Sequence, residues 1–235
     1  MKYLLLLIAL VGCDADLDEP WQLDHDRIIA VRATPPRIVS GAESSIDALV
    51  GRKGARPAEE VPPAAQVVSP ESLANTLRFD AGRWLVTAPD ETRLAAARVE
   101  LGLMPGAPVP LVVGVAFLET AFPSGIPDEP VPAIKTVWLG EAADNPVLTT
   151  EVDGVDAPTA PELVVAPLTD VPLSVATDET DDVNWLTSCG TMRDFDLPQA
   201  YLRVELEDVQ AGDLAVVVRT ERGGVAWRIW PIRAE

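Results

Sequence analysis

The stretch DLAVVVRTERGGVAWRIWPI, residues 213–232, decides the fold. Two apolar runs, 213–220 and 225–232, flank Glu221-Arg222-Gly223-Gly224. β-Branched and aromatic side chains suit a pleated surface, and glycine takes the positive φ that a tight reversal demands. The segment therefore predicts an antiparallel hairpin. Trp227 and Trp230 differ by three positions, so on a regular strand they face opposite sides, and Pro231 marks an edge or a strand end. One ring is expected in the core. The other is either exposed on an edge strand, where it could stack on a sugar or anchor a protein partner, or, the better reading, buried as well, against the linker or the other domain.

Working outward, short runs rich in Val, Ile, Leu and Thr recur between Pro, Gly and Asp, the punctuation of short antiparallel strands. Upstream of the hairpin lie candidates at 135–140, 146–152, 162–166, 172–177, 183–189 and 200–206. That density is typical of a β-sandwich. Earlier candidates are 27–33, 44–50, 82–88 and 109–119, while the polar, proline-rich segment 51–76 reads as loop with one strand near Gln66-Val67-Val68. Residues 89–102 break the pattern. Asp90 is a plausible N-cap, the body is alanine-rich and Gly102 is a stop, which predicts a short helix. Prolines 123, 127, 130 and 132 around Gly125 describe a stiff connector.

These signals divide the chain into a β-rich domain at 27–122, a proline-rich linker at 123–134 and a β-sandwich at 135–235. Arg98-Val99-Glu100-Leu101 recurs as Arg203-Val204-Glu205-Leu206, each followed by a glycine and an aliphatic strand. This echo is either a sandwich repeat or chance, because the first copy falls in the predicted helix.

The 235 residues carry 18 basic and 37 acidic side chains, a net charge of −19. Basic residues are not clustered, and nucleic acid is a poor partner for such a chain, since binding it requires neutralising phosphates. The two cysteines are Cys13 and Cys189.

The chain opens MKYLLLLIALVGC. Lys2 followed by an apolar run too short to span a bilayer describes a secretory signal peptide, residues 1–12. Leu10-Val11-Gly12-Cys13 resembles the lipobox of bacterial lipoproteins. The resemblance implies cleavage before Cys13, diacylglycerol on its thiol and a further acyl group on the new amine; two or three chains anchor stably where one does not. The alternative is an ordinary signal with an incidental cysteine. Residues 13–26 are acidic and read as a solvated tether that holds the folded part off the bilayer. Asp14 resembles an inner-membrane retention signal of enteric bacteria, a rule that is not general, so inner and outer membrane both stay open. With Cys13 acylated, Cys189 has no partner within the chain.

Val183-Asn184-Trp185 followed by Gly190 resembles the third strand of immunoglobulin-like and PKD-like domains, and Gly212-Asp213-Leu214-Ala215-Val216 resembles their sixth. The resemblance implies a sandwich in which Trp185 and Val216 pack between the sheets. Leu214 stands where the family usually has Tyr and Val216 where it has Cys, so the tyrosine corner and the intersheet disulfide are both absent. The fold class expected is mainly β, with two immunoglobulin-like antiparallel sandwiches and one short helix in the first.

Chemistry is sparsely signalled. A nucleophilic Cys189 needs a base, and the one histidine, His25, lies in the acidic segment, so structural burial is the better reading. Asp178, Thr180, Asp182 and Asn184 alternate loosely as calcium ligands, with Asp194 and Asp196 further on. The turn glycine is missing and Cys189 occupies the distal ligand position, so a solvated acidic loop competes with structural calcium. Clustered Cys and His for zinc are absent, and nothing picks out a carboxylate pair. The sequence thus points to a lipid-anchored, non-catalytic adhesion, scaffold or interaction module of the cell envelope. A carbohydrate-binding lipoprotein using Trp227 or Trp230 is the second reading, and an envelope hydrolase the third.

Overall fold

In this computed structural model, residues 19–117, 130–157 and 162–235 are described. Cys13, the signal peptide 1–12 and linker residues 123–129 lie outside the described residues. The first sandwich contains β1 (Arg27–Thr34), β2 (Arg37–Ile38), β3 (Glu43–Arg52), β4 (Ala55–Glu60), β5 (Ala64–Ser69), β6 (Leu77–Asp80), β7 (Arg83–Thr87), β8 (Val109–Phe117) and β9 (Val131–Leu139). One sheet runs β1-β3-β7-β6, with β4 also paired to β3, and the other runs β2-β9-β8-β5. Side chains alternate across each strand, so Leu111, Val113, Val115 and Phe117 of β8 point inward and pack with Val31, Ile46 and Val50. Thr34-Pro35-Pro36 ends β1, because proline has no N–H for the ladder. The chain then crosses to the other sheet, where β2 runs parallel to β9.

Helix α1 (Glu91–Leu101) joins β7 to β8. Asp90 caps it by accepting from the Arg93 N–H at 2.9 Å. Gly102 ends it at φ 66°. There the Leu103 N–H donates to the Arg98 carbonyl and the Gly102 N–H to that of Val99, which satisfies two otherwise orphaned acceptors. Leu94 and Ala97 seal one end of the core.

The second sandwich contains β10 (Thr150–Val152), β11 (Val155–Asp156), β12 (Leu163–Val165), β13 (Val171–Val175), β14 (Asp182–Thr187), β15 (Thr191–Arg193), β16 (Gln199–Arg203), β17 (Ala211–Arg219) and β18 (Val225–Ala234). Its sheets run β11-β10-β13-β16-β15 and β12-β18-β17-β14. Apart from β4 and β11, the order matches that of the first sandwich strand for strand, including a parallel second-to-last pairing of β12 with β18. This is the strand order of an immunoglobulin-like sandwich, present twice. Trp185 pairs with Val216, and both are buried between the sheets, as the resemblance implied. The β17–β18 hairpin forms as expected, with Gly223 at φ 79° and the Thr220 N–H donating to the Gly224 carbonyl.

The repeat lies in topology rather than in the echoed tetrapeptide. Arg98–Leu101 finishes a helix, whereas Arg203 finishes β16. The strands that follow, β8 and β17, are equivalent.

Three expectations change. The strand expected at 135–140 to open the second sandwich belongs to the first, as part of β9, which pairs with β8 from Val109↔Leu139 to Phe117↔Val131. Prolines are tolerated at its start because β2 pairs with β9 only at Trp138 and Leu139. Segment 51–76 holds two strands and a 3-10 helix at Glu71–Thr76 instead of loop with one strand, so the first sandwich has two helices rather than one; β4 forms because its charges meet arginines, with Arg52 paired to Glu60 and Arg32 to Glu59 at 3.2 Å. The acidic segment is not solvated throughout. Leu23 is fully buried, its N–H donates to the Thr187 carbonyl, and the Thr187 N–H donates to that of Trp21. Asp26 accepts from the Lys53 N–H at 2.9 Å and Asp24 from that of Gly54. Residues 19–26 thus form a strap across both sandwiches.

Gly190, in the turn after β14, has φ +75°, and a Cβ there would lie 2.3 Å from the Arg203 carbonyl oxygen. Gly190→Ala is expected to cost about 2–3 kcal/mol from backbone strain and overpacking. The loss is read as a lower denaturation midpoint with an unchanged slope.

Candidate functional site

The polar and aromatic side chains with the most structured surroundings lie on the seam between the sandwiches. The outer face of β14, β17 and β18 stacks on the outer face of β1 and β3. Leu186, Ala215, Val217, Val225 and Trp227 meet Ile29, Ala30 and Leu49, with Leu23 of the strap among them. The result is a third apolar core, so the sandwiches are joined face to face.

Polar groups close its rim. Trp227 lies flat beneath the Arg32 guanidinium, 3.9 Å from ring centroid to Cζ. Its indole N–H donates to Glu59 at 2.6 Å, and Arg32 in turn holds Asp47 at 2.8 Å. Arg219 donates to the Ile29 carbonyl at 2.7 Å and also to the Asn184 side-chain oxygen. Arg56 pairs with Asp213 at 3.2 Å. Asn145, between the sandwiches in sequence, donates to the Ala33 carbonyl and accepts from the Val225 N–H. Arg37 donates to the Arg222 carbonyl at 2.7 Å and Lys135 to the Gly223 carbonyl at 2.5 Å, so the β17–β18 turn is gripped by the first sandwich. Lys135 is buried, and that burial, reinforced by the charge of Arg219 and opposed by Asp47, lowers its pKa to about 8. Burial likewise raises the Asp213 pKa, with Arg56 working against it.

The residues singled out from sequence are mostly held inside the fold. Trp227 and Trp230 do face opposite sides of β18, but neither is exposed. Trp230 is in the second core and Trp227 in the seam. Trp227 and Trp230 therefore offer no exposed ring face for a sugar to stack on. Of the calcium candidates, Asp182 and Asn184 lie on β14 and Asp178 in the loop before it. Asn184 is held by Arg219, Asp181 accepts from the Asp178 N–H, and no group of three His, Cys, Asp or Glu among the described residues could hold a metal. Cys189 is buried, its thiol donates to the Val209 carbonyl, and burial followed by the charge of Asp208 raises its pKa. Its environment suppresses the thiolate that nucleophilic chemistry requires.

Sequence reasoning missed Lys135, Arg32, Glu59 and the strap. One signal was available: Leu214–Val218 is apolar at every position, and an uninterrupted run marks a strand covered on both faces.

No family model matches the chain, and no curated protein matches it. Among solved structures, it is similar to the fibronectin(III)-like modules of Clostridium thermocellum CbhA, at 12% identity and a TM-score of 0.29, over 88% of this chain and 94% of that one. It is also similar to the tandem Ig repeats of Dlar, at 12% identity and a TM-score of 0.30, over 90% and 98%. The human desmocollin-1 ectodomain is matched at 13% identity and a TM-score of 0.27, over 90% of this chain and 37% of that one. At such scores the likenesses carry no argument, and the fold assignment stands on strand order. No helix among the described residues is long and apolar enough to cross a membrane.

Proposed function

We propose that the chain is a lipid-anchored, extracytoplasmic protein of the bacterial cell envelope, whose paired sandwiches form a rigid, non-catalytic module for adhesion, scaffolding or protein interaction. The observation that carries this reading is the seam. Side chains suited to chemistry or ligand contact (Trp227, Arg32, Glu59, Lys135, Arg219) are engaged in fixing one sandwich against the other. Such a device holds surfaces at a set spacing.

The anchor is Cys13, within the lipobox-like Leu10-Val11-Gly12-Cys13. Seven residues separate it from Trp21, the first residue of the strap whose backbone bonds to the second sandwich. Fully extended, they reach roughly 25 Å. The anchor therefore keeps the seam close to the bilayer and leaves the far faces for partners.

In cells, Cys13→Ser is expected to abolish incorporation of labelled palmitate and to move the chain out of the washed membrane fraction. Label retained in the variant, or a wild-type chain whose intact mass shows an uncut leader and a free Cys13 thiol, sinks the anchor. A specific turnover by purified chain that survives the seam variants described below sinks the non-catalytic reading.

A further inference from the structure

At the margin of the seam a pocket of about 220 Å3 opens between the strap, β1 and the edge strand β14. Ile28, Leu186 and Phe195 give it apolar wall, while Arg27, Arg219 and Asn184 bring hydrogen-bond donors to it. Arg219 commits two of its five N–H groups to the seam, one to the Asn184 side-chain oxygen and one to the Ile29 carbonyl at 2.7 Å. Both acceptors are neutral. Among the described residues no carboxylate is in ion-pair contact with Arg219; Asp182, opposite it on β14, acts on it only through space. Other sheltered arginines, Arg32, Arg37, Arg52 and Arg98, each hold a carboxylate directly. In a chain with 37 acidic side chains against 18 basic ones, Arg219 is thus an exception.

Its neighbours add to the donor set. Asn184 gives its oxygen to Arg219, which leaves the amide N–H2 group for another acceptor. Arg27, turned to the Pro20 and Gln22 carbonyls at 3.1 and 2.8 Å, brings a second positive charge.

We propose that this pocket binds a small carboxylate on an aliphatic stem, the chemistry shared by a peptide C-terminus with an aliphatic last residue and by a short free acid. The carboxylate accepts from the remaining N–H groups of Arg219 and from the Asn184 amide, and the stem lies against Leu186 and Phe195. The planar fork of a guanidinium matches the two oxygens of a carboxylate, which favours this anion. Size limits the stem to one small side chain, since drug-sized ligands fill about 300 Å3 or more. Asp182, Asp194 and Asp196 are exposed and oppose an anion, with their fields screened beyond about 8 Å at physiological salt. Binding is therefore weak, with a dissociation constant of about 1 mM. The site requires no acylated Cys13.

The test titrates the full chain, extracted from membranes in mild detergent, with N-acetylleucine, isocaproate and N-acetylleucinamide. Binding is followed through the side-chain N–H resonances of Arg219 and Asn184. The two acids are expected to bind at about 1 mM and the neutral amide at least tenfold more weakly. N-acetylleucine stands for a peptide C-terminus and isocaproate for a free acid; binding of either supports the site, and the tighter names the source. Asn184→Asp keeps an oxygen for Arg219 and fixes a negative charge in the pocket. It is expected to raise the dissociation constant of the acids tenfold or more, read at Arg219, with the urea midpoint unchanged. The comparison of acid with amide on the wild type needs no variant. Acids that leave both resonances unmoved up to about 20 mM, an amide that binds as tightly, or a folded Asn184→Asp chain that binds equally well overturns the proposal.

Discussion

Replacing Trp227 with alanine is expected to cost about 3–5 kcal/mol and to split one unfolding transition into two. Trp227 is the largest side chain in the seam, packed with Leu49, Ala215 and Val217. Truncation opens a cavity where the surrounding strands cannot collapse, because each also serves a sandwich core. It also leaves Glu59 without its 2.6 Å indole donor and Arg32 without the ring beneath it. Each sandwich keeps its own core, Val31 through Leu139 in one and Val152 through Ala234 in the other, so each retains a transition of its own. Trp227→Phe separates the contributions. It retains most of the buried area and removes the indole hydrogen bond, for about 1–2 kcal/mol with a single transition preserved. Urea unfolding followed by both fluorescence and circular dichroism decides the matter. If Trp227→Ala unfolds in one transition at the wild-type midpoint, the seam does not couple the sandwiches.

The seam also explains which parts of the fold were legible in the sequence. The β17–β18 hairpin, β1, β3, β7, β8 and the capped helix were readable because their signals are local: alternation, a Gly-Gly turn, an Asp cap and a Gly stop. Three features failed because distant partners settle them. β9 begins among prolines that look like a linker, and only its nine-residue pairing with β8 shows it to be a strand of the first sandwich. Residues 19–26 are acidic enough to look solvated, yet Trp21 and Leu23 alternate as strand residues do and find Thr187 more than 160 positions away. β4 reads as polar loop because its glutamates are stabilised by Arg32 and Arg52, which lie on other strands. Trp227 and Trp230 were correctly placed on opposite sides of one strand. That the outer side is also covered depends on a second sandwich, which alternation within one strand does not reveal.

Lys135 carries the other large effect. Its stem lies among the inward residues of β9 and its ammonium donates to the Gly223 carbonyl across the seam. In the folded chain burial is the main cause that lowers its pKa from 10.5 to about 8; Arg219 adds to the drop and Asp47 opposes it. The unfolded chain therefore binds more protons between those values, and stability rises with pH across that window. At pH 7 the charged lysine is penalised by about 3 kcal/mol, and the penalty is relieved as pH climbs from about 8 towards 10.5. Cys189 works in the opposite direction. Its thiol is held protonated in the fold and ionises first in the unfolded chain, so it withdraws stability above its ordinary pKa. Comparison with Lys135→Met, which keeps Cys189, isolates the lysine. The variant loses one hydrogen bond, worth about 1 kcal/mol, and a buried charge that costs more. It is expected to be about 1–2 kcal/mol more stable than wild type at pH 7, and the advantage is expected to vanish and then reverse by pH 10. Denaturant midpoints measured from pH 7 to 10 read both quantities. If the difference between the two proteins stays constant over that range, Lys135 is not a desolvated ammonium.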